Sequence, residues 1–250
     1  MRRLMAITAH PDDESANFGG SLRTYAERGV ETCVLCLTPG QAATHRGGAK
    51  SDQELAVMRR KEFAAACQIL KVSRGLVLEY PDGQLYRQDF YRVVADLTQH
   101  VRDFRPQVVL AFGPEGGITA HVDHSMSSLF ATLAFEWAGR ENRYPDQLGN
   151  GRRPHQPQKL YYSTTEVPLL NGPRVSLPPI TATIDIGPHL ETKIAAFKAH
   201  LSQAPLWHFV EDRLQQRSRR EQFHLVASSK NGPLTTETDL FAAVDEEDQA

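Results

Sequence analysis

The sequence has no excess of either charge. Its 250 residues include 28 lysines and arginines against 30 aspartates and glutamates, which gives a formal net charge of -2 at pH 7. A broad basic face for nucleic acid is therefore not expected, because such a face needs a surplus of positive side chains. The same balance offers nothing that would attract the chain to an anionic membrane surface.

Cysteines and long hydrophobic runs are also scarce. Three cysteines, an odd number, argue against a disulfide framework and are typical of a reducing compartment. At the N-terminus only about six apolar residues precede the first charged cluster, which is too few for a signal peptide. No apolar run approaches the length of a transmembrane span. These absences predict a soluble cytoplasmic protein with no membrane span.

What the sequence does contain is an alternation of short apolar runs and helical patterns. Runs that suit buried strands cover 3–9, 31–38, 74–80, 106–112, 159–164, 181–186 and 222–228. Helical patterns cover 14–28, 52–71, 88–104, 121–139 and 188–202. This order predicts an α/β, Rossmann-like fold: a mostly parallel sheet with helices on both faces. We expect a single domain over 1–230 and a C-terminal extension over 231–250 that ends in a partly disordered acidic tail.

Titratable residues concentrate directly after the predicted strands. The sequence HPDDE (10–14) follows the first strand, and GPEGGITAHVDH (113–124) follows the fourth. Parallel sheets bind ligands beyond the carboxyl ends of their strands, near the point where the strand order reverses. We therefore expect these two clusters to meet at one edge of the sheet.

The first cluster has two interpretations when it is taken alone. Proline suits the first turn of a helix, and acids there complement the helix dipole. On that interpretation HPDDE is only a helix start, and His10 has no role. The alternative is that a cation compensates the three consecutive acids.

The second cluster, HVDH at 121–124, favours the cation. Its two imidazoles lie three residues apart and share a face if the segment is helical. A catalytic zinc needs about three nitrogen or oxygen ligands and one open position, and His10, Asp13 and His124 supply two imidazoles and a carboxylate. Asp12 and His121 would then flank the metal as acid–base groups.

Magnesium for phosphoryl transfer is the rival interpretation of the acid-rich start. The sequence contains no P-loop, and two histidines suit zinc better than magnesium.

The two clusters in this order resemble the LmbE/PIG-L family of zinc-dependent N-acetylglucosaminyl deacetylases. The similarity covers about residues 3 to 228 and includes weaker matches at ELAVMRRKEFAAACQIL (54–70), YPDG (80–83), KIAAFKAHLSQ (193–203) and EQFHLV (221–226). The pair of motifs is specific, whereas either motif alone is not.

The resemblance implies one zinc ion per chain, bound by His10, Asp13 and His124. It makes Asp12 the general base. It also makes His121 the group that stabilises the oxyanion and helps to protonate the leaving amine.

Three further residues match positions in the family. Asp123 is expected to orient His121, although residues two apart do not face each other in a regular helix, so this requires an irregular helix start. Arg59 and Asp82 match positions that bind the sugar. Gln41 stands where the family usually has glutamate, and this departure concerns the substrate rather than the chemistry.

The resemblance therefore implies removal of the N-acetyl group from an N-acetylglucosamine-containing small molecule or conjugate, with release of acetate and a free amine. Three alternatives stay open: an amidase of thiol–sugar conjugates, another metal-dependent hydrolase, and a metal-dependent sugar-binding module without turnover. The expected partner is a small N-acetylated amino sugar or glycoside. The identity of the conjugate and the oligomeric state, including a homo-oligomer, stay open.

Overall fold

The structure is a computed structural model that describes residues 1–149, 151–166, 177–208, 219–233 and 235–245. Its strands are β1 Arg3–Thr8, β2 Glu31–Cys36, β3 Arg74–Val77, β4 Val108–Phe112, β5 Lys159–Thr164, β6 Ala182–Asp185 and β7 Arg220–Ser228. Its α-helices are α1 Asp13–Glu27, α2 Asp52–Leu70, α3 Phe90–Phe104, α4 Val122–Ala138 and α5 Leu190–Lys198.

The seven strands form one sheet in the order β3-β2-β1-β4-β5-β7-β6. Strands β1 to β5 pair in parallel, and β7 pairs antiparallel with both β5 and β6. The predicted α/β, Rossmann-like class with a mostly parallel sheet is therefore confirmed.

The central strands are buried on both faces, which explains their nearly continuous apolar sequences. Side chains alternate across a strand, so Leu4 and Ala6 of β1 join the core on the face covered by α1, α2 and α5. Met5 and Ile7 join the core on the opposite face, which α3 and α4 cover. The sheet is thus a rigid platform, and its strand ends fix the positions of the loops that follow them.

The last predicted helix, over 188–202, is shorter in the structure. Helix α5 ends at Lys198, and a 3₁₀ segment, Leu201–Leu206, follows it. Between them His200 leaves the helical backbone with φ -80° and ψ 73°. This conformation turns the chain, and the His200 side chain bonds to α1 rather than continuing along α5.

Part of the predicted C-terminal extension packs on the sheet. Glu237 forms a bridge with Ala182 at the start of β6, and Leu240 and Phe241 are buried in the core. The division of the chain at residue 230 stays a prediction. Residues 246–250, which include most of the expected acidic tail, lie outside the described residues.

Candidate active site

The strand order reverses between β1 and β4. From β1 the chain continues to β2 and β3 on one side of the sheet, and it then returns to β4 on the other side of β1. A crevice forms at such a point beyond the carboxyl ends of the strands. His10 follows β1 and His124 lies in the first turn of α4, so the topology brings the two sequence clusters together.

The Asp13 carboxylate lies between two imidazoles. Its Oδ2 is 3.5 Å from Nδ1 of His10, and its Oδ1 is 3.2 Å from Nε2 of His124. Burial alone would raise the pKa of Asp13, but His124 and His10 outweigh it and hold this pKa well below its usual range. Asp13 is therefore an anion, as a metal ligand has to be.

The two histidines present the ring nitrogens that a metal requires. Nδ1 of His124 lies 3.2 Å from the Gly116 carbonyl oxygen and donates a hydrogen bond to it. Nε2 of His124, which faces Asp13, then carries the lone pair that a metal can bind. Ring nitrogens of His10, His121 and His124 all lie within 4.8 Å of one another. One ion can therefore reach several imidazoles at once.

The donor set also fits zinc by the chemistry of its atoms. Nδ1 is the nitrogen of His10 on the side of Asp13. Nε2 of His10 lies on the other side of the ring, where Asp82 Oδ1 is 3.0 Å away and Asp123 Oδ2 is 3.5 Å away. Two imidazoles and a carboxylate form a typical catalytic zinc set with an open position.

Asp12 has an unusual backbone conformation. Its φ is 118° and its ψ is -27°, a region that residues with a side chain rarely adopt. Its N–H donates to Glu14 Oε2 at 2.9 Å, and its Oδ2 accepts from Arg59 Nη2 at 3.0 Å. Burial raises the pKa of Asp12 to about 6, against the positive charge of Arg59. The carboxylate is still ionised at neutral pH and more basic than an ordinary aspartate, as proton transfer requires.

His121 is the residue that caps α4. Its Nδ1 accepts a hydrogen bond from the Asp123 N–H at 3.2 Å, and its ring meets that of His10 edge-on with centroids 4.8 Å apart. Partial burial and the neighbouring His10 and His124 lower the pKa of His121 below its usual value. The structure thus places His121 beside His10 and His124, and its catalytic role stays a prediction.

Asp123 is fully buried, but its carboxylate has partners other than His121. It accepts hydrogen bonds from the N–H groups of Gly83 at 2.7 Å and Leu85 at 3.2 Å, and it lies 3.5 Å from His10 Nε2. Its hydrogen bond with His121 runs through the Asp123 backbone, because both residues lie at the regular start of α4. The catalytic role of Asp123 stays a prediction.

Arg59 is almost completely buried, at 3% exposure. Its Nη atoms donate to the carbonyl oxygens of Gly40 and Pro11 and to the Asp12 carboxylate. Its guanidinium thus joins the loop after β2 to the loop after β1. Its expected contact with the sugar stays a prediction.

Asp82 lies on the other side of His10. Its Oδ2 accepts from the Ala42 N–H at 2.9 Å, and its Oδ1 is the atom 3.0 Å from His10 Nε2. Burial opposes ionisation of Asp82, but the contacts with His10 lower its pKa overall. Beside Ala42, Oε1 of Gln41 is buried without a hydrogen bond. The sugar-binding role of Asp82 also stays a prediction.

Two buried pairs were not identified from the sequence. Glu14, the last acid of HPDDE, pairs with His200 at 2.7 Å, and Glu62 accepts from the N–H and Oγ of Ser202 at 2.7 Å. Both partners come from the HLSQ sequence after α5. The sequence offered one signal for the first pair. Glu14 is a third consecutive acid at a helix start, and His200 is a histidine near the end of the last helical pattern.

No helix in the described parts of the chain is both long enough and apolar enough to cross a membrane.

Comparison with known proteins agrees with the resemblance seen in the motifs. The family model described as "PIG-L: GlcNAc-PI de-N-acetylase" matches residues 5–135. A mycothiol S-conjugate amidase of Streptomyces coelicolor is 32% identical over 180 residues, which span 64% of this chain and 60% of that protein. A 1D-myo-inositol 2-acetamido-2-deoxy-alpha-D-glucopyranoside deacetylase of Streptomyces avermitilis is 28% identical over 97% of each chain.

A solved structure with a deacetylase name has the same fold. The N,N'-diacetylchitobiose deacetylase from Pyrococcus horikoshii superposes with a TM-score of 0.75 at 26% identity, over 90% of this chain and 84% of that one. The family match includes the histidines and aspartates of both clusters, since it extends from β1 to α4. This chain belongs to the LmbE/PIG-L family.

Proposed function

We propose that this protein is a zinc-dependent amide hydrolase that removes the N-acetyl group from an N-acetylglucosamine-containing small molecule or conjugate, releasing acetate and a free amine. One observation carries the proposal. His10, Asp13 and His124 converge at the strand-order reversal, with the carboxylate of Asp13 within 3.5 Å of both imidazoles. Asp12 lies directly beside this set and has a raised pKa.

These residues divide the work of amide hydrolysis. His10, Asp13 and His124 would hold the zinc ion, which would supply the Lewis acidity to activate water and polarise a carbonyl. Asp12 accepts the proton that water loses as it attacks the amide carbon. His121 donates a hydrogen bond to the developing oxyanion and helps to pass the proton that Asp12 has taken up to the amine nitrogen as the C–N bond breaks. The raised pKa of Asp12 suits the base, and the lowered pKa of His121 makes it a neutral hydrogen-bond donor that relays a proton instead of storing one.

The substrate class follows from the relatives. Three proteins similar to this chain have names that describe deacetylation of an acetamido sugar, deacetylation of diacetylchitobiose, or cleavage of a mycothiol S-conjugate. We infer an acetamido sugar as the part of the substrate that binds this site. An amidase of thiol–sugar conjugates is the second candidate, because the amidase is the relative with 32% identity. We expect the protein to work in the cytoplasm, where its three buried thiols stay reduced.

The experiment is amine release from a panel of N-acetylglucosamine derivatives and thiol–sugar conjugates, with metal-stripped protein before and after zinc is added. We expect zinc to restore release from one class, which identifies the substrate. His124→Ala should lose both the bound zinc and the activity, because one of three ligands is removed. Stoichiometric zinc binding without cleavage of any amide would contradict the proposed reaction and favour a sugar-binding module.

A further inference from the structure

Glu14 and His200 form a pair that is completely buried. Both side chains have 0% exposure, and His200 Nε2 lies 2.7 Å from Glu14 Oε1. The Ser15 hydroxyl donates to the same oxygen at 2.6 Å. A buried carboxylate is costly unless it is paired and hydrogen-bonded, so His200 supplies a partner that Glu14 needs.

The other oxygen of Glu14 is bound to the residue that we assign as the general base. Oε2 accepts the Asp12 N–H at 2.9 Å. Asp12 has φ 118°, a strained conformation that persists only where its surroundings enforce it. Arg59 holds the carboxylate of Asp12 from one side, and Glu14 holds its backbone from the other.

We propose that His200 and Glu14 are positioning residues for Asp12, which deepens the proposed function and rests on it. The imidazole N–H of His200 fixes the Glu14 carboxylate, and the Glu14 carboxylate holds the Asp12 N–H in its unusual conformation. Without the His200 donor, the Glu14 carboxylate keeps only the Ser15 hydroxyl and the Asp12 N–H and is held less firmly. The Asp12 backbone then relaxes, and the Asp12 carboxylate moves away from the water that attacks the amide carbon. The side-chain hydrogen bond of His200 is made to Glu14, so His200 acts on Asp12 through that carboxylate.

A second buried ion pair, Lys193 with Glu221, offers a control for a purely structural role of the His200–Glu14 pair. Lys193 and Glu221 form a second buried pair, with Nζ 2.6 Å from Oε1, and Glu221 accepts the N–H groups of Gly20 and Ser21 at 2.8 Å. This pair joins α5 to β7 and, through the Gly20 and Ser21 N–H groups, to α1 at a point about two turns along the helix from Asp12. Loss of Lys193 therefore disturbs the same helix contact without disturbing the base.

The test compares His200→Met with His200→Gln in the zinc-loaded protein. The two side chains have similar length, and only glutamine can donate an N–H to Glu14. On the substrate identified by the panel, we expect His200→Met to lower kcat about 10–100-fold, the usual effect of losing a group behind a site residue. KM and zinc content should stay within about twofold of the wild-type values, and His200→Gln should recover most of kcat.

Lys193→Met is expected to lose stability as His200→Met does but to keep the wild-type kcat. Retained kcat in His200→Met, or an equal loss of kcat in Lys193→Met, would overturn the proposal.

A second readout does not depend on turnover. Amide hydrogen exchange at Asp12, measured by NMR in the zinc-loaded proteins, should accelerate at least about tenfold in His200→Met relative to Lys193→Met. Unchanged exchange at Asp12 would overturn the positioning role whatever the activity. If the wild type cleaves no derivative while exchange behaves as expected, the proposed reaction is wrong and the positioning of Asp12 stands.

Discussion

Two buried arginines, Arg59 and Arg102, differ in what their surroundings leave unsatisfied. At the end of α3, Arg102 donates through all three guanidinium nitrogens to Gln147 Oε1 and to the carbonyl oxygens of Trp137, Ala138, Arg140, Arg143 and Tyr144. At the carboxyl ends of the strands, Arg59 leaves its buried Nε without a partner. The surroundings of Arg102 are built for stability, because every nitrogen of its guanidinium is paired.

The site around Arg59 is not built in that way. It places several acids side by side and holds Asp12 in a strained conformation. Strained backbone and unpaired buried polar groups destabilise a fold, and proteins keep them mainly at functional sites, where the rest of the structure compensates for their cost. The comparison therefore separates a polar cluster that supports the fold from one that supports chemistry, and the following variants test it.

The largest effect is expected from Asp12→Asn. Asparagine tolerates positive φ, so the fold and the zinc content should be kept while the base is lost. We expect kcat to fall about 10²–10⁴-fold, which is about 3–5 kcal/mol in the activation barrier. Steady-state kinetics and zinc analysis measure both quantities. Asp103→Asn, the same change beside Arg102, is the control and should keep kcat. Full activity in Asp12→Asn would show that another group is the base.

Arg102→Ala should have the opposite profile. It leaves several buried carbonyl oxygens without a donor, so we expect the free energy of unfolding to fall by about 3 kcal/mol or more. The kcat of the protein that remains folded should not change. Urea unfolding measures the loss, and Arg102→Lys should recover less than half of it, because an ammonium lacks the planar fork of donors. A loss of less than about 1 kcal/mol would mean that water replaces the guanidinium.

A core thiol gives a smaller, pH-dependent effect. Burial raises the pKa of Cys33 to about 12. The folded-state pKa is raised, so this group's contribution to stability is complete below the unfolded value of about 8.5 and is lost as pH rises towards the folded value. We expect the free energy of unfolding to fall by up to about 1.4 kcal/mol per pH unit for this thiol in that window.

Urea titrations between about pH 8 and pH 11 measure this slope, and Cys33→Ala should make it shallower. An identical slope in the two proteins would show that Cys33 does not contribute.

The smallest effect is expected from the pair of Asp103 with Arg152. The side chains are joined at 2.5 Å and 3.2 Å, but they are about 30% exposed to solvent. We expect Asp103→Asn to cost at most about 1 kcal/mol, because exposed ion pairs contribute little. The cost should shrink further at high salt, where the charges are screened. A loss of unfolding free energy as large as that of Arg102→Ala would show that the Asp103–Arg152 pair forms one network with Arg102.

The sequence alone determined the fold class and which residues meet at the proposed site. Strands buried on both faces need continuous apolar runs, and helices that cover one face need periodic ones, so local patterns sufficed for β1 to β5 and α1 to α4. The order of strands and helices then placed HPDDE and HVDH at one edge, because parallel strands end at the same edge. His10, Asp12, Asp13, His121 and His124 were all found together for this reason.

Only the tertiary structure decided which partner each buried group has. No local pattern pairs Glu14 with His200, which lies 186 residues away, or connects the Asp123 carboxylate with Gly83 and Leu85. Periodicity shows which face of an element is buried, but it does not show which of several polar groups from distant elements meet there. That choice depends on helix packing and on single backbone conformations such as those of Asp12 and His200, and these are set by the assembled sheet and helices.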